Sequence, residues 1–95
     1  MIRIYLPGVN MKVRDYQGHL EIALLIVAEE LRGEGLGSRA IRSVQQLGRP
    51  IRLTAIPQAG HKTALHRFYR RLGFRAIGRD STGHMEFEWL PGGAR

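Results

Sequence analysis

Three glycines crowd into the six residues Arg32-Gly33-Glu34-Gly35-Leu36-Gly37, and the neighbouring segments restrict what that cluster can be. Before it, Leu20 to Ala28 is a nearly continuous apolar run, the pattern of a central strand covered on both faces. After it, Leu36, Ala40, Val44 and Leu47 recur at helical spacing, with Ser38, Arg39, Arg42, Ser43 and Gln46 at the other positions. A strand that turns through glycines into a helix lets backbone N–H groups approach a ligand, because no Cβ obstructs them. The helix start adds unsatisfied donors and a partial positive charge. Together they make an anion cradle suited to a pyrophosphate. The plainer alternative is a simple strand-to-helix turn. No Gly-Lys-Ser/Thr occurs, so this is not a Walker loop. The glycines do not form G-x-G-x-x-G and no second βαβ half follows, so a dinucleotide-binding domain is excluded as well.

The rest of the chain supplies a sheet. Met1 to Leu6 and Met11 to Gln17 alternate apolar with polar residues, and Pro7 to Asn10 reads as the turn between them. The first helix ends at Gly48, and Pro50 blocks its continuation. Ile51 to Ile56 is a strand. A second helix runs from about His61 to Leu72, with Ala64, Leu65, Phe68, Tyr69 and Leu72 as its apolar stripe and His66, Arg67, Arg70 and Arg71 facing away. Arg75 to Arg79 and the alternating Met85 to Trp89 close the pattern across a turn at Asp80 to Gly83. The order is β-β-β-α-β-α-β-β, an α/β (α+β) domain with a mixed, mostly antiparallel sheet. The strands on either side of the crossover helix should be parallel. Met1 to Leu6 and Met85 to Leu90 are expected at the sheet edges, where unpaired strands tend to be paired or covered, so a homodimer through a strand is expected.

The chain has no cysteine, which excludes a disulfide framework and a thiol acyl-enzyme. His19, His61, His66 and His84 share no ligand spacing, so no metal site is expected. No segment approaches the ~18 apolar residues of a membrane span. Arg3 and Pro7 interrupt the only candidate leader, so a cytoplasmic protein without membrane contact is expected. Net charge is +7, and thirteen of the fifteen basic residues are arginine. That excess suits an anionic partner. Nucleic acid is not the expected one, because Phe68 and Tyr69 point inward instead of flanking the basic helix face.

Arg32-x-x-Gly35-x-Gly37 resembles the acyl-CoA loop of the GNAT N-acetyltransferase superfamily. Phe68-Tyr69-x-x-Leu72-Gly73-Phe74 is similar to the ending of that family's second helix. The two motifs stand in the family's order on the expected elements, and the likeness runs from Met11 to Leu90, with Met1 to Leu6 as a preceding strand.

The resemblance implies acetyl-CoA as co-substrate and direct transfer of its acetyl group to an amine. In the family, the strand before the loop and the strand after the first helix splay apart, and pantetheine bonds the first strand's backbone. That maps onto Ile26, Val27 and Ala28. The pyrophosphate maps onto Arg32, Gly33, Gly35, Leu36, Gly37 and Ser38, and Arg39 or Arg42 is in reach of the 3′-phosphate. Tyr69 stands at the family's tyrosine position and is the implied general acid; without the family it reads as a core tyrosine beside Phe68. Glu21 lies at the offset of the glutamate in histone-type members and is the implied general base; the alternative is a strand carboxylate paired with an arginine. Glu29 and Glu30 read as loop-solubilising charges.

Two departures matter. Members usually carry a strand and one or two helices ahead of the sheet, walling the acceptor pocket, whereas only Met1 to Leu6 stands there in this sequence. Residues 1–95 are therefore expected to form one truncated acetyl-CoA-binding domain. Its acceptor site is open to a protein or peptide amine, or a second subunit or protein partner completes it, or transfer is lost and a regulatory binding module is left. The family's Asn near the start of the second helix is replaced by Lys62. A small basic nucleic-acid binder is the remaining alternative.

Overall fold

The computed structural model describes residues 2–27, 35–56, 60 and 62–93; of residues 2–6, 24, 26 and 27 it describes the backbone alone. The elements follow the expected order: β1 (Ile2–Leu6), β2 (Val9–Tyr16), β3 (His19–Val27), α1 (Leu36–Gln45), β4 (Ile51–Thr54), α2 (Lys62–Arg71), β5 (Arg75–Arg79) and β6 (Met85–Trp89), with a short 3-10 turn at Pro91–Gly93. They build one six-stranded sheet in the order β1-β2-β3-β4-β6-β5. β3 and β4 are parallel, as the crossover through α1 requires, and the other pairs are antiparallel. The edges are β1 and β5. The expectation of an edge at Met85 to Leu90 is therefore corrected: β6 lies between β4 and β5, hydrogen-bonded on both sides.

The core lies on one face of this sheet. Val13 pairs with Ile22, Ile22 with Leu53 and Leu53 with Phe87, so four strands contribute one continuous apolar row. α1 covers the β1–β3 end with Ala40, Ile41 and Val44. α2 covers the β6 end, where the Tyr69 ring lies tilted against Phe87. The Gln45 amide donates to the Leu72 carbonyl at 2.7 Å and joins the two helices. Both helices thus sit on the same face. The run from Leu20 is not covered on both sides as its composition suggests, because Glu21 and Ala23 look away from the core.

That second face is polar, and its charges alternate in register. Arg14 pairs with Glu21, Glu21 with Arg52, Arg52 with Glu88 and Glu88 with Arg75, so one ladder crosses five strands. Three of its four contacts are ion pairs, at 3.4 Å (Arg14–Glu21), 3.1 Å (Arg52–Glu88) and 3.8 Å (Arg75–Glu88). Opposite charges across neighbouring strands favour this register over a one-residue slip, which would put the ladder in the core. Among the described residues no helix is long and apolar enough to cross a membrane.

Candidate functional site

The sheet comes apart at one place. β3 pairs with β4 only from Leu20↔Ile51 to Ile22↔Leu53. Beyond that pair β3 runs on to Val27 against β2 alone, while the chain after β4 stays with β6 through the Ala55 N–H to Met85 carbonyl bond of 2.8 Å. The cause lies in the β2–β3 register. Lys12 opposes Leu24 but Val13 opposes Ile22, so Ala23 is an extra residue and β3 is bulged there. A bulge bends its strand and increases local twist. The result is a V-shaped opening whose apex is the Ile22–Leu53 row. Among the described residues, the edge of β3 that faces β4 is left without a partner strand from Ala23 towards Ile26 and Val27. This is the arrangement that an added extended chain satisfies with main-chain hydrogen bonds.

At the far end of β3 the chain enters α1. Gly35 is its N-cap in the left-handed region, φ 76° and ψ 12°, and among the described residues no side chain caps the helix. The first intrahelical bond runs from the Arg39 N–H to the Gly35 carbonyl at 3.0 Å. The N–H groups of Leu36, Gly37 and Ser38 therefore precede the helical ladder and are available as donors. The first turn itself, from Leu36, holds no acidic residue to offset the positive end of the helix dipole. Arg39 and Arg42 are exposed on α1. Ala28, Arg32 and Gly33, which the sequence reading placed in the same site, lie outside the described residues.

Tyr69 approaches the apex from the core side. It is 8% exposed, with the rings of Phe68, Phe74 and Phe87 centred 5.2, 5.9 and 5.7 Å away. Phe87 belongs to the Leu53–Ile22 row, which places Tyr69 against the residues where the strands part. Burial pushes its phenol above the ordinary tyrosine value, because the apolar rings disfavour phenolate. Glu21 approaches from the other face, one residue before Ile22, with its carboxylate 3.4 Å from the Arg14 guanidinium. The two candidate catalytic residues therefore flank the apex from opposite faces and do not share a side of the sheet. His66, expected to face away on α2, instead packs edge-on against Phe87 at 5.4 Å. Burial, then Lys62, Arg70 and Arg79, hold it below the ordinary histidine value.

Sequence reasoning missed the Ala23 bulge and the charge ladder. The ladder had a signal: Glu86 and Glu88 alternate with Phe87 and Trp89, and Arg52 alternates with Ile51 and Leu53. The bulge leaves none inside an all-apolar run.

The raised Tyr69 value has a measurable sign. Up to about pH 10 folded and unfolded chains both keep this proton. Above it the unfolded chain releases the proton that the folded chain retains, so stability falls as pH rises towards the folded value. The melting temperature should drop above about pH 10, and Tyr69→Phe should lack that component in paired melts. Identical alkaline slopes in the two proteins would count against a buried, protonated phenol.

A sequence profile described as "Acetyltransferase (GNAT) domain" matches residues 5–76. Among solved structures, the anti-CRISPR protein AcrVA5 superposes with a TM-score of 0.73 at 26% identity, over 93% of this chain and 96% of that one. The PaiA N-acetyltransferase of Thermoplasma acidophilum, in complex with coenzyme A, gives 0.72 at 16% identity, over 86% of this chain and 52% of that one. The Bacillus subtilis N-acetyltransferase YlbP, also in complex with coenzyme A, gives 0.72 at 19%, over 94% and 66%. The chain thus spans about half to two thirds of these two acetyltransferases and nearly all of AcrVA5. A search of curated proteins returns no match. The profile spans most of the sequence, including the splayed strands, the glycine N-cap of α1 and Tyr69, and the chain belongs to the GNAT acetyltransferase family.

Proposed function

We propose that the protein transfers the acetyl group of acetyl-CoA directly to an amine. The observation that carries this reading is the unpaired β3 backbone leading from the Ala23 bulge to the open N-terminus of α1. That path offers main-chain partners to a pantetheine amide chain and helix-end N–H groups to a diphosphate. The coenzyme A complexes of two proteins sharing the fold support it. In this reading Ile26, Val27 and Ala28 hold pantetheine, and Arg32, Gly33, Gly35, Leu36, Gly37 and Ser38 hold the pyrophosphate. Glu21 takes one proton from the incoming ammonium. The freed nitrogen bonds to the acetyl carbon, and the C–S bond breaks with its electron pair on sulfur. Tyr69 gives its phenolic proton to that sulfur and regains one from the product nitrogen. Positioning supplies most of the acceleration, and each proton transfer adds about 10²–10⁴-fold.

The structure matched over nearly its full length is described as an anti-CRISPR protein, which favours a second reading in which the fold binds acetyl-CoA and serves a protein partner in a regulatory role. Calorimetric titration with acetyl-CoA and CoA tests the cofactor half of both. Binding is expected, and Gly35→Glu should weaken it at least tenfold, roughly the 1.4 kcal/mol that one misplaced charge readily costs. Absence of heat with millimolar ligand would overturn both. Binding without acetylation of any lysine-containing peptide would leave the second.

A further inference from the structure

The polar face of the sheet holds a groove of about 180 Å³, lined by His19, Glu21, Arg52, Thr54, Ile77 and Glu86. It borders the apex of the V, because Glu21 and Arg52 pair in the row next to Ile22 and Leu53. The charges along it are not equivalent. Glu88 is held by Arg52 and Arg75, and Glu21 by Arg14. Among the described residues Glu86 forms no ion pair, although the chain as a whole carries +7. Its register explains why. Glu86 stands opposite Thr54 on β4 and Gly78 on β5, neither of which brings a charge, and Gly78 brings no side chain at all. The β5 register slips between Ala76 and Gly78, so Ile77 is the extra residue, and it is 43% exposed beside the groove.

We infer that this groove seats the acceptor as an aliphatic primary ammonium, with Glu86 as its counter-ion, Thr54 beside it and Ile77 against its methylene stem. The inference rests on the transfer reaction proposed above and assigns its acceptor side. A cation is the complement of a carboxylate without a partner, and an amine reaches the site as ammonium at neutral pH. Glu86 holds that charge at the mouth, and Glu21, nearer the apex, receives its proton. Arg52 lines the same groove, with its guanidinium engaged by Glu88. A lysine side chain and a free alkyl diamine share this chemistry, and the open face of the sheet admits either.

The test uses the full chain and three probes: a blocked Gly-Lys-Gly peptide, 1,5-diaminopentane, and a blocked Gly-norleucine-Gly peptide that keeps the stem and lacks the nitrogen. In NMR titrations without acetyl-CoA, the two amines should move the amides of Thr54, Ile77 and Glu86, and the norleucine peptide should not. Glu86→Gln should abolish those shifts. In turnover it should raise KM for both amines about ten- to a hundredfold, the loss expected on neutralising a charged partner. kcat and the Kd for acetyl-CoA should be unchanged. The more strongly bound amine identifies the source. Equal shifts from norleucine, shifts confined to the basic face of α2, or an unchanged KM in Glu86→Gln would each overturn the assignment. Failure of acetyl-CoA to bind would sink the transfer reaction alone, because the titrations need no cofactor.

Discussion

Tyr69→Phe is expected to lower kcat by about 10²–10⁴-fold while leaving the Kd for acetyl-CoA within about twofold. The substitution removes one oxygen and keeps the ring that packs against Phe68, Phe74 and Phe87. The core should therefore hold, and paired melts at pH 7 should agree to within about 1 kcal/mol. What is lost is a phenol that burial keeps protonated. A thiolate leaving unaided must be solvated by water instead, and the buried ring cluster leaves little room for it. The measurement is steady-state acetylation of a lysine peptide under saturating acetyl-CoA, with a single-turnover control for product release. A kcat equal to that of the parent protein would remove Tyr69 from the chemistry and return it to the core.

The order of elements was legible because each carries its own period and punctuation. β6 alternates cleanly, and Gly48 ends the α1 region in the left-handed conformation, at φ 73°. The parallel β3–β4 pair followed from the crossover between them. Other features depend on distant partners and were misread. The last strand in sequence reads as an edge, yet it sits inside the sheet, since nothing local tells β6 which neighbours it will find. In α1 the apolar spacing picked Leu47, which is 49% exposed beyond the helix end, and passed over Ile41, which is fully buried. Both are aliphatic, and six residues at about 100° each place them roughly 120° apart around the helix, off a common stripe; only the facing strands decide. The candidate site divides the same way. Gly35 and Tyr69 were found through spacing within motifs. Glu86 was not, because its significance is the absence of a cation across two strand pairings.

Phe87→Ala should be the most damaging single change to the fold. Phe87 is fully buried, stands opposite Leu53 on β4 and Ala76 on β5, and touches the rings of Tyr69 and His66. Truncating a core phenylalanine costs about 3–5 kcal/mol, of which part is transfer and part the cavity left behind. A domain of this size has only about 5–14 kcal/mol in total. At least about a fifth of the stability is therefore expected to disappear, visible as a lower urea midpoint at unchanged slope. Leu47→Ala, at an exposed position, should change the unfolding free energy by no more than about 0.5 kcal/mol. The two variants separate a core that rests on one sheet face from one spread evenly over the chain, since equal losses would contradict one-sided packing. Phe87 is also the floor under Tyr69. Its loss should reduce turnover at urea concentrations where the sheet is still folded, because the phenol loses the surface that aims it at the apex. Activity that survives until global unfolding would show that Tyr69 is held by Phe68 and Phe74 instead.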